Sequence, residues 1–153
     1  RGPVQFAFAR SIDPIFAHEV TITRQAVTQE GVEKEREMGR KHIVPYALYR
    51  MDGYISAYLA AKTGFTEGDL ETLKEALLNL FEHDRSAARG QMSVRKLVMF
   101  EHDSPLGSAP AQQLFDRIVV KRRTEGAVRS YEDYDLITNR DSLPEGVALI
   151  ELG

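Results

Sequence analysis

The sequence predicts an α+β domain built on a largely antiparallel sheet. Three observations predict it. Short β-rich, alternating runs fill most of the first 60 residues. One strongly amphipathic helix follows. Helix and strand then take turns toward the C-terminus.

The first strand is Val4-Gln5-Phe6-Ala7-Phe8, where Val4, Phe6 and Phe8 alternate with smaller or polar residues. A chain that opens inside a strand, without an initiator Met, is what a fragment or a trimmed chain would show. Ser11-Ile12-Asp13-Pro14 breaks the run with turn-forming residues. From His18 to Val27 the chain is β-rich again, with Val20 and Ile22 on one face and Thr21 and Thr23 on the other. The stretch from Thr28 to Lys41 is too polar to bury a face and reads as a solvated loop or short exposed helix. Apolar character returns at His42-Ile43-Val44-Pro45-Tyr46. Two β-like runs around a charged connection predict a long hairpin from His18 to Tyr49, with Pro45 at an edge or bulge.

Gly53 to Ala61 alternates as a strand would, with a short helix as the other option. Thr66, with Asp69 three residues on, is a capping-box pattern, and Leu70, Leu73, Leu77 and Phe81 recur at helical spacing. These place a helix at about Glu67 to Glu82. Val94 to Phe100 is a buried strand and Ser104 to Ser108 a turn. A short helix from Pro110 to about Arg117 would be capped by Ser108. Ile118-Val119-Val120 is a further strand, closed by the surface cluster Lys121-Arg122-Arg123. From Thr124 the chain is polar and acidic until Val147-Ala148-Leu149-Ile150.

Composition excludes several classes. With no Cys among 153 residues, disulfides, zinc-thiolate sites and thiol nucleophiles are ruled out. There is no apolar run near the roughly 20 residues of a membrane helix and no signal-peptide pattern, so a cytoplasmic protein without a membrane partner is expected. The net charge of −3 argues against a uniformly basic nucleic-acid binder. That charge is blocky, however: residues 1–130 carry +2 and the last 23 residues carry −5. Unlike surfaces of this kind suit head-to-tail stacking of copies.

Glu82-His83-Asp84 and Glu101-His102-Asp103 repeat a triplet whose His-Asp pair belongs to one class of metal-dependent phosphohydrolases and nucleases. That HD-type chemistry is the alternative function. It needs further ligands, and the only other histidines, His18 and His42, lie in β-like runs. The residues therefore read as polar ends of elements, and no metal site is expected. His83 near a helix C-terminus is favourable as a cation. No nucleophile elbow, P-loop or dinucleotide fingerprint is present, so neither catalytic residues nor a cofactor is expected.

The basic groups fall into sets. Arg10 and Ser11 follow the first strand. Thr23 and Arg24 lie on one hairpin arm, and Arg40, Lys41 and His42 on the other. Arg85 and Arg89 share a small-residue loop after the helix. Cations, hydroxyls and loop N–H groups are what a phosphodiester backbone requires.

Gly2-Pro3-Val4-Gln5-Phe6, Phe8-Ala9-Arg10-Ser11-Ile12, Thr21-Ile22-Thr23-Arg24, Met38-Gly39-Arg40-Lys41-His42-Ile43-Val44-Pro45-Tyr46 and Phe81-Glu82-His83-Asp84-Arg85-Ser86-Ala87-Ala88-Arg89-Gly90 occur in this order. Together, over residues 2 to about 123, they resemble the CRISPR-associated backbone subunit of type I Cascade complexes, the Cas-seven family, in its type I-C branch. The resemblance implies an RNA-recognition-motif-like (ferredoxin-like) palm spanning residues 1–123. A thumb hairpin at about 18–49 is inserted in it, and residues 124–153 form an acidic extension. It implies a non-catalytic subunit that stacks with other copies of itself along a CRISPR RNA (crRNA), joins other Cascade subunits and presents the guide to target DNA. On that reading Arg10, Ser11, Thr23, Arg24, Arg40, Lys41, His42, Arg85 and Arg89 are RNA contacts, led by Arg24, Lys41, Arg85 and Arg89. Members of the family are about twice this long, so the resemblance covers their later part. The palm is then expected to lack its first strand at the N-terminus and to leave an open edge.

Overall fold

The computed structural model describes residues 1–24, 37–87 and 90–153. It is a mixed α/β chain of small antiparallel sheets and short helices. Residues 4–24 and 37–55 form a ribbon of three two-stranded ladders in series. β1 (Val4–Phe6) pairs with β6 (Gly53–Ile55), β2 (Arg10–Ser11) with β5 (Tyr49–Arg50), and β3 (His18–Arg24) with β4 (Glu37–Ile43). Val4 faces Ile55, Arg10 faces Arg50 and His18 faces Ile43, so the register slips by one residue between successive ladders. Each slip is what a bulge does: it bends the ribbon and swaps which residues share a face. A backbone bond from Ala7 N–H to Asp52 O extends the first ladder toward the first break, and one from Ile12 N–H to Leu48 O extends the second ladder toward the second.

Of the hairpin expected from His18 to Tyr49, the paired arms are His18–Arg24 and Glu37–Ile43, while Tyr49 pairs with Ser11 in the neighbouring ladder. Pro45 lies beyond the end of β4, where its missing donor breaks no ladder bond. Among the described residues, β3 and β4 have each other as their main packing partners, as the strands of every ladder here do. The stretch from Thr28 to Lys41, expected to be a loop or short helix, is strand from Glu37 onward because it pairs with β3; residues 25–36 lie outside the described residues.

The expected strand from Gly53 to Ala61 divides in two. Only Gly53–Ile55 is strand, and α1 (Ala57–Thr63) follows. Ser56 caps it through its side chain and Gly64, at φ 74°, closes it in the left-handed conformation. α2 (Glu67–Leu78) starts as expected: the Thr66 hydroxyl accepts from Asp69 N–H, and the Asp69 carboxylate accepts from Thr66 N–H at 2.8 Å. It ends earlier than Glu82, because Asn79 turns out of helical geometry and spends its side-chain amide on the Glu75 carbonyl.

β7 (Leu97–His102) pairs with β10 (Val147–Leu152), and β8 (Ile118–Arg122) with β9 (Tyr134–Thr138). α3 (Ala111–Phe115) links β7 to β8. Pro110 occupies its N-cap position with no side-chain bond. Ser108 does not cap it, because its hydroxyl donates to Asp103 at 2.5 Å instead. β9 falls within the stretch read as merely polar and acidic. Its Leu136 and Ile137 face Val120 and Val119 across the ladder.

The fully packed centre is small. Among the described residues, Leu114 and Tyr134 are the buried hydrophobic side chains, 1% and 6% exposed. Polar ties do much of the remaining work. Arg50 donates from Nε to Asp52 at 2.8 Å and from its two terminal nitrogens to the Ile118 and Phe115 carbonyls at 3.0 and 3.1 Å. Glu151 bridges Lys96 at 2.7 Å and Arg140 at 2.8 Å. Hydrogen bonds from those two cations hold the Glu151 carboxyl below the usual glutamate range.

Two outcomes are expected. Leu114→Ala should cost about 2–5 kcal/mol in denaturant unfolding, since the site is closed on all sides and cannot refill. Glu151 stabilises the fold when ionised, and that contribution is lost as pH falls through its depressed value. Glu151→Gln should therefore flatten the acid limb of the stability–pH profile below about pH 4.3 and leave its slope near neutrality unchanged.

Candidate nucleic-acid interface

The β3–β4 ladder sorts the candidate residues by face. Thr21 faces Arg40, Thr23 faces Met38 and Glu19 faces His42. Side chains alternate along a strand, so Thr23, Arg40 and His42 share one face with Thr21, Glu19 and Met38. Lys41 faces Val20 and lies on the opposite face, beside exposed Val20 and Ile22. Arg24 faces Glu37 at the end of the ladder. Its side chain lies outside the described residues, as does Arg89.

Charge on the polar face is partly neutralised. Arg40 reaches diagonally to Glu19 at 3.3 Å, with both side chains well exposed. Lys41 is half-buried on the other face. Arg10 is exposed in the next ladder and stands opposite Arg50, while half-buried Ser11 stands opposite Tyr49. Arg50 turns its guanidinium away onto the Ile118 and Phe115 carbonyls. The ribbon thus strings Arg10, Lys41, Arg40 and His42 along one continuous element. Arg85 belongs elsewhere, on the turn after α2, where it pairs with Glu82 at 3.0 Å. The structure therefore unites the hairpin candidates on two faces and leaves the post-helix loop as a separate feature.

The acidic triplets take structural places. The His102 imidazole accepts the Ser108 N–H on Nδ1 at 2.9 Å, which puts its proton on Nε2. Asp103 accepts the Ser108 hydroxyl, and its backbone N–H donates to the Gly146 carbonyl at 3.0 Å. Gly107, at φ 93°, packs against the imidazole ring. Gly146, at φ 74°, leaves no room for a Cβ against the Asp103 carboxylate. Glu82 is engaged by Arg85. Among the described residues, no three His, Asp or Glu side chains converge as metal ligands would. Also among them, no helix is long and apolar enough to cross a membrane.

A family model described as CRISPR-associated protein Cas7 matches residues 1–139. The chain belongs to the Cas7 family. No curated protein matches it. The Cas7 match takes in the whole ribbon, all three helices and β7 to β9, so it runs past Arg123 into the acidic stretch. Membership makes the chain a CRISPR-associated backbone subunit.

Sequence reasoning passed over Arg50, which joins this Cas7 ribbon to α3 and β8. The available signal was Arg50 two residues before Asp52, a spacing that lets a strand-end carboxylate steady a guanidinium. The roles of His102 and Asp103 were equally hidden, since their partner Ser108 looked like a helix cap.

His102→Leu should leave the Ser108 N–H without an acceptor. An unfolding-free-energy loss of about 1–3 kcal/mol is expected, with hydrogen exchange at Ser108 rising more than at β7.

Proposed function

We propose that this Cas7 chain is a non-catalytic, guide-RNA-binding backbone subunit of a type I CRISPR interference complex, of the type I-C branch. Copies stack along the crRNA, join other Cascade subunits and offer the guide for pairing with target DNA. In this reading the β3–β4 hairpin is the thumb of an RNA-recognition-motif-like palm. Arg10, Ser11, Thr23, Arg24, Arg40, Lys41, His42, Arg85 and Arg89 hold the RNA backbone.

One observation carries the reading. The two-stranded β3–β4 hairpin carries basic side chains on both of its faces, Arg40 and His42 on one and Lys41 on the other. An isolated hairpin is marginal in water, and an exposed row of Arg, Lys, His and Thr does little for folding. The same row can make charge-assisted bonds to phosphates on either side of the arm. The Glu19–Arg40 pair tunes this, since an exposed ion pair of modest strength yields readily to a phosphate.

Filter binding of the protein to its guide RNA tests the proposal. Arg24→Ala, Lys41→Ala, Arg85→Ala and Arg89→Ala should each weaken binding about tenfold and lower the log–log salt slope by about 0.7. Glu19→Gln should instead tighten binding at low salt by freeing Arg40, and the gain should vanish at high salt. Unchanged affinity and slope in all four alanine variants would remove these residues from the RNA surface.

A further inference from the structure

The chain joins the hairpin to the rest of the fold at its root. The root consists of residues 12–17, leading into β3, and residues 44–48, leaving β4. The entry segment meets Tyr134, the residue that follows the short helical turn Tyr131–Asp133, and the exit segment carries Tyr46 within electrostatic reach of that turn. On the way in, the Tyr134 hydroxyl donates to the Asp13 carboxylate at 2.6 Å. These residues are 121 positions apart in sequence. On the way out, half-buried Tyr46 has Arg95, Glu132, Asp133 and Tyr131 as its electrostatic neighbours, and Tyr134 feels Tyr46 in turn. Arg95 closes the group by stacking its guanidinium over the Tyr131 ring, 4.4 Å from the centroid.

The turn is itself held rigidly. The Asp133 carboxylate accepts the N–H groups of Arg129 and Ser130 at 2.9 and 3.0 Å. The Asp133 carbonyl accepts the Arg123 N–H at 2.8 Å, tying the turn to the end of β8. Tyr134 opens β9 opposite Arg122 and is one of the two buried hydrophobic side chains among the described residues. A fixed post inside the β8–β9 ladder therefore holds the entry segment of the hairpin root at Asp13, and the charges around it lie within electrostatic reach of Tyr46 on the exit segment.

We propose that the Tyr131–Tyr134 segment is an anchor that sets the direction of the hairpin, with Tyr134, Asp13, Arg95 and Tyr131 as positioning residues for RNA binding. Its value for RNA rests on the thumb reading above; the anchor itself rests on these contacts. None of the four needs to touch RNA. The acidic C-terminal region thereby acquires a task inside the fold.

The absence of cysteine allows two introduced thiols to be spin-labelled without background. Met38→Cys on β4 and Gln113→Cys on α3 are both exposed positions for a distance measurement on the full chain. The parent should give one narrow distribution. Tyr134→Phe, which keeps the ring and removes the donor, should give a broader or shifted one. Asp13→Asn, which weakens the same bond from the other side, and Arg95→Gln should do likewise. Thermal unfolding of each variant separates a moved hairpin from a damaged fold, and Asp13→Asn keeps the test open should Tyr134→Phe fail to fold. Distributions unchanged from the parent in folded variants would overturn the anchor. Guide-RNA affinity is read in parallel: Tyr134→Phe should lose about fivefold with an unchanged salt slope, because no phosphate contact is removed. A parent that binds no RNA would end the thumb reading, while the distance measurement would still decide the anchor.

Discussion

The fork of Arg50 is the interaction on which the arrangement of this chain depends. Arg50 belongs to the ribbon, through β5, yet its two terminal nitrogens end on carbonyls of Phe115 and Ile118. Those carbonyls lie at the C-terminal end of α3 and the start of β8, where backbone acceptors lack helical partners and a cation is favoured. Asp52 steadies the guanidinium from behind, and the Phe115 ring lies 5.8 Å from its centre. Tyr54 on β6 adds a tilted ring contact with Phe115 at 5.6 Å. One side chain thus couples the long hairpin element to the helix-and-strand half. Loss of either partner would leave a guanidinium or a helix end unsatisfied, which costs more than the bond itself contributes.

This polar coupling matters because apolar burial is sparse. A compact monomer of 17.3 kDa exposes about 7,800 Å² by size scaling, and this chain exposes 11977 Å². Phe8, Leu106, Phe16 and Met38 are 94%, 83%, 79% and 72% exposed. With so little core, individual hydrogen bonds and capping contacts carry an unusual share of the specification of the fold. The His102 and Asp103 bonds to Ser108, the Thr66–Asp69 box and the Glu151 bridge each fix one local geometry.

What the sequence made legible follows from how local each signal is. Thr66 and Asp69 sit three residues apart, so the start of α2 could be read directly, and the alternation of Val20 and Ile22 with Thr21 and Thr23 revealed β3. Elements set by distant partners were not legible. β9 hides in an acidic stretch because its strand character comes from pairing with β8, not from its own composition. α1 was read mainly as strand because Ile55, Ala57 and Leu59 alternate, although Ser56 and Gly64 are cap residues placed around a seven-residue helix. The nine candidate RNA contacts were read as residue types, but the sorting of Thr23, Arg40, Lys41 and His42 onto two faces of the hairpin required the register.

That register links fold to function. A slip of one residue reverses the side to which alternate side chains point. The first slip changes the even–odd pairing of β1 and β6 to even–even in β2 and β5, and the second restores even–odd pairing in β3 and β4. A slip of this kind bends a ribbon and re-aims the side chains beyond it. The base keeps Phe6 close over Gly53, a position with no space for a Cβ, and uses Arg50 and Tyr54 to grip α3. Beyond the breaks, the same ribbon presents Arg40 and His42 on one side and Lys41 with Val20 and Ile22 on the other. A polar face and a mixed face then arise from one strand pair, and the Tyr134–Asp13 bond ties the segment entering that pair to the β8–β9 ladder.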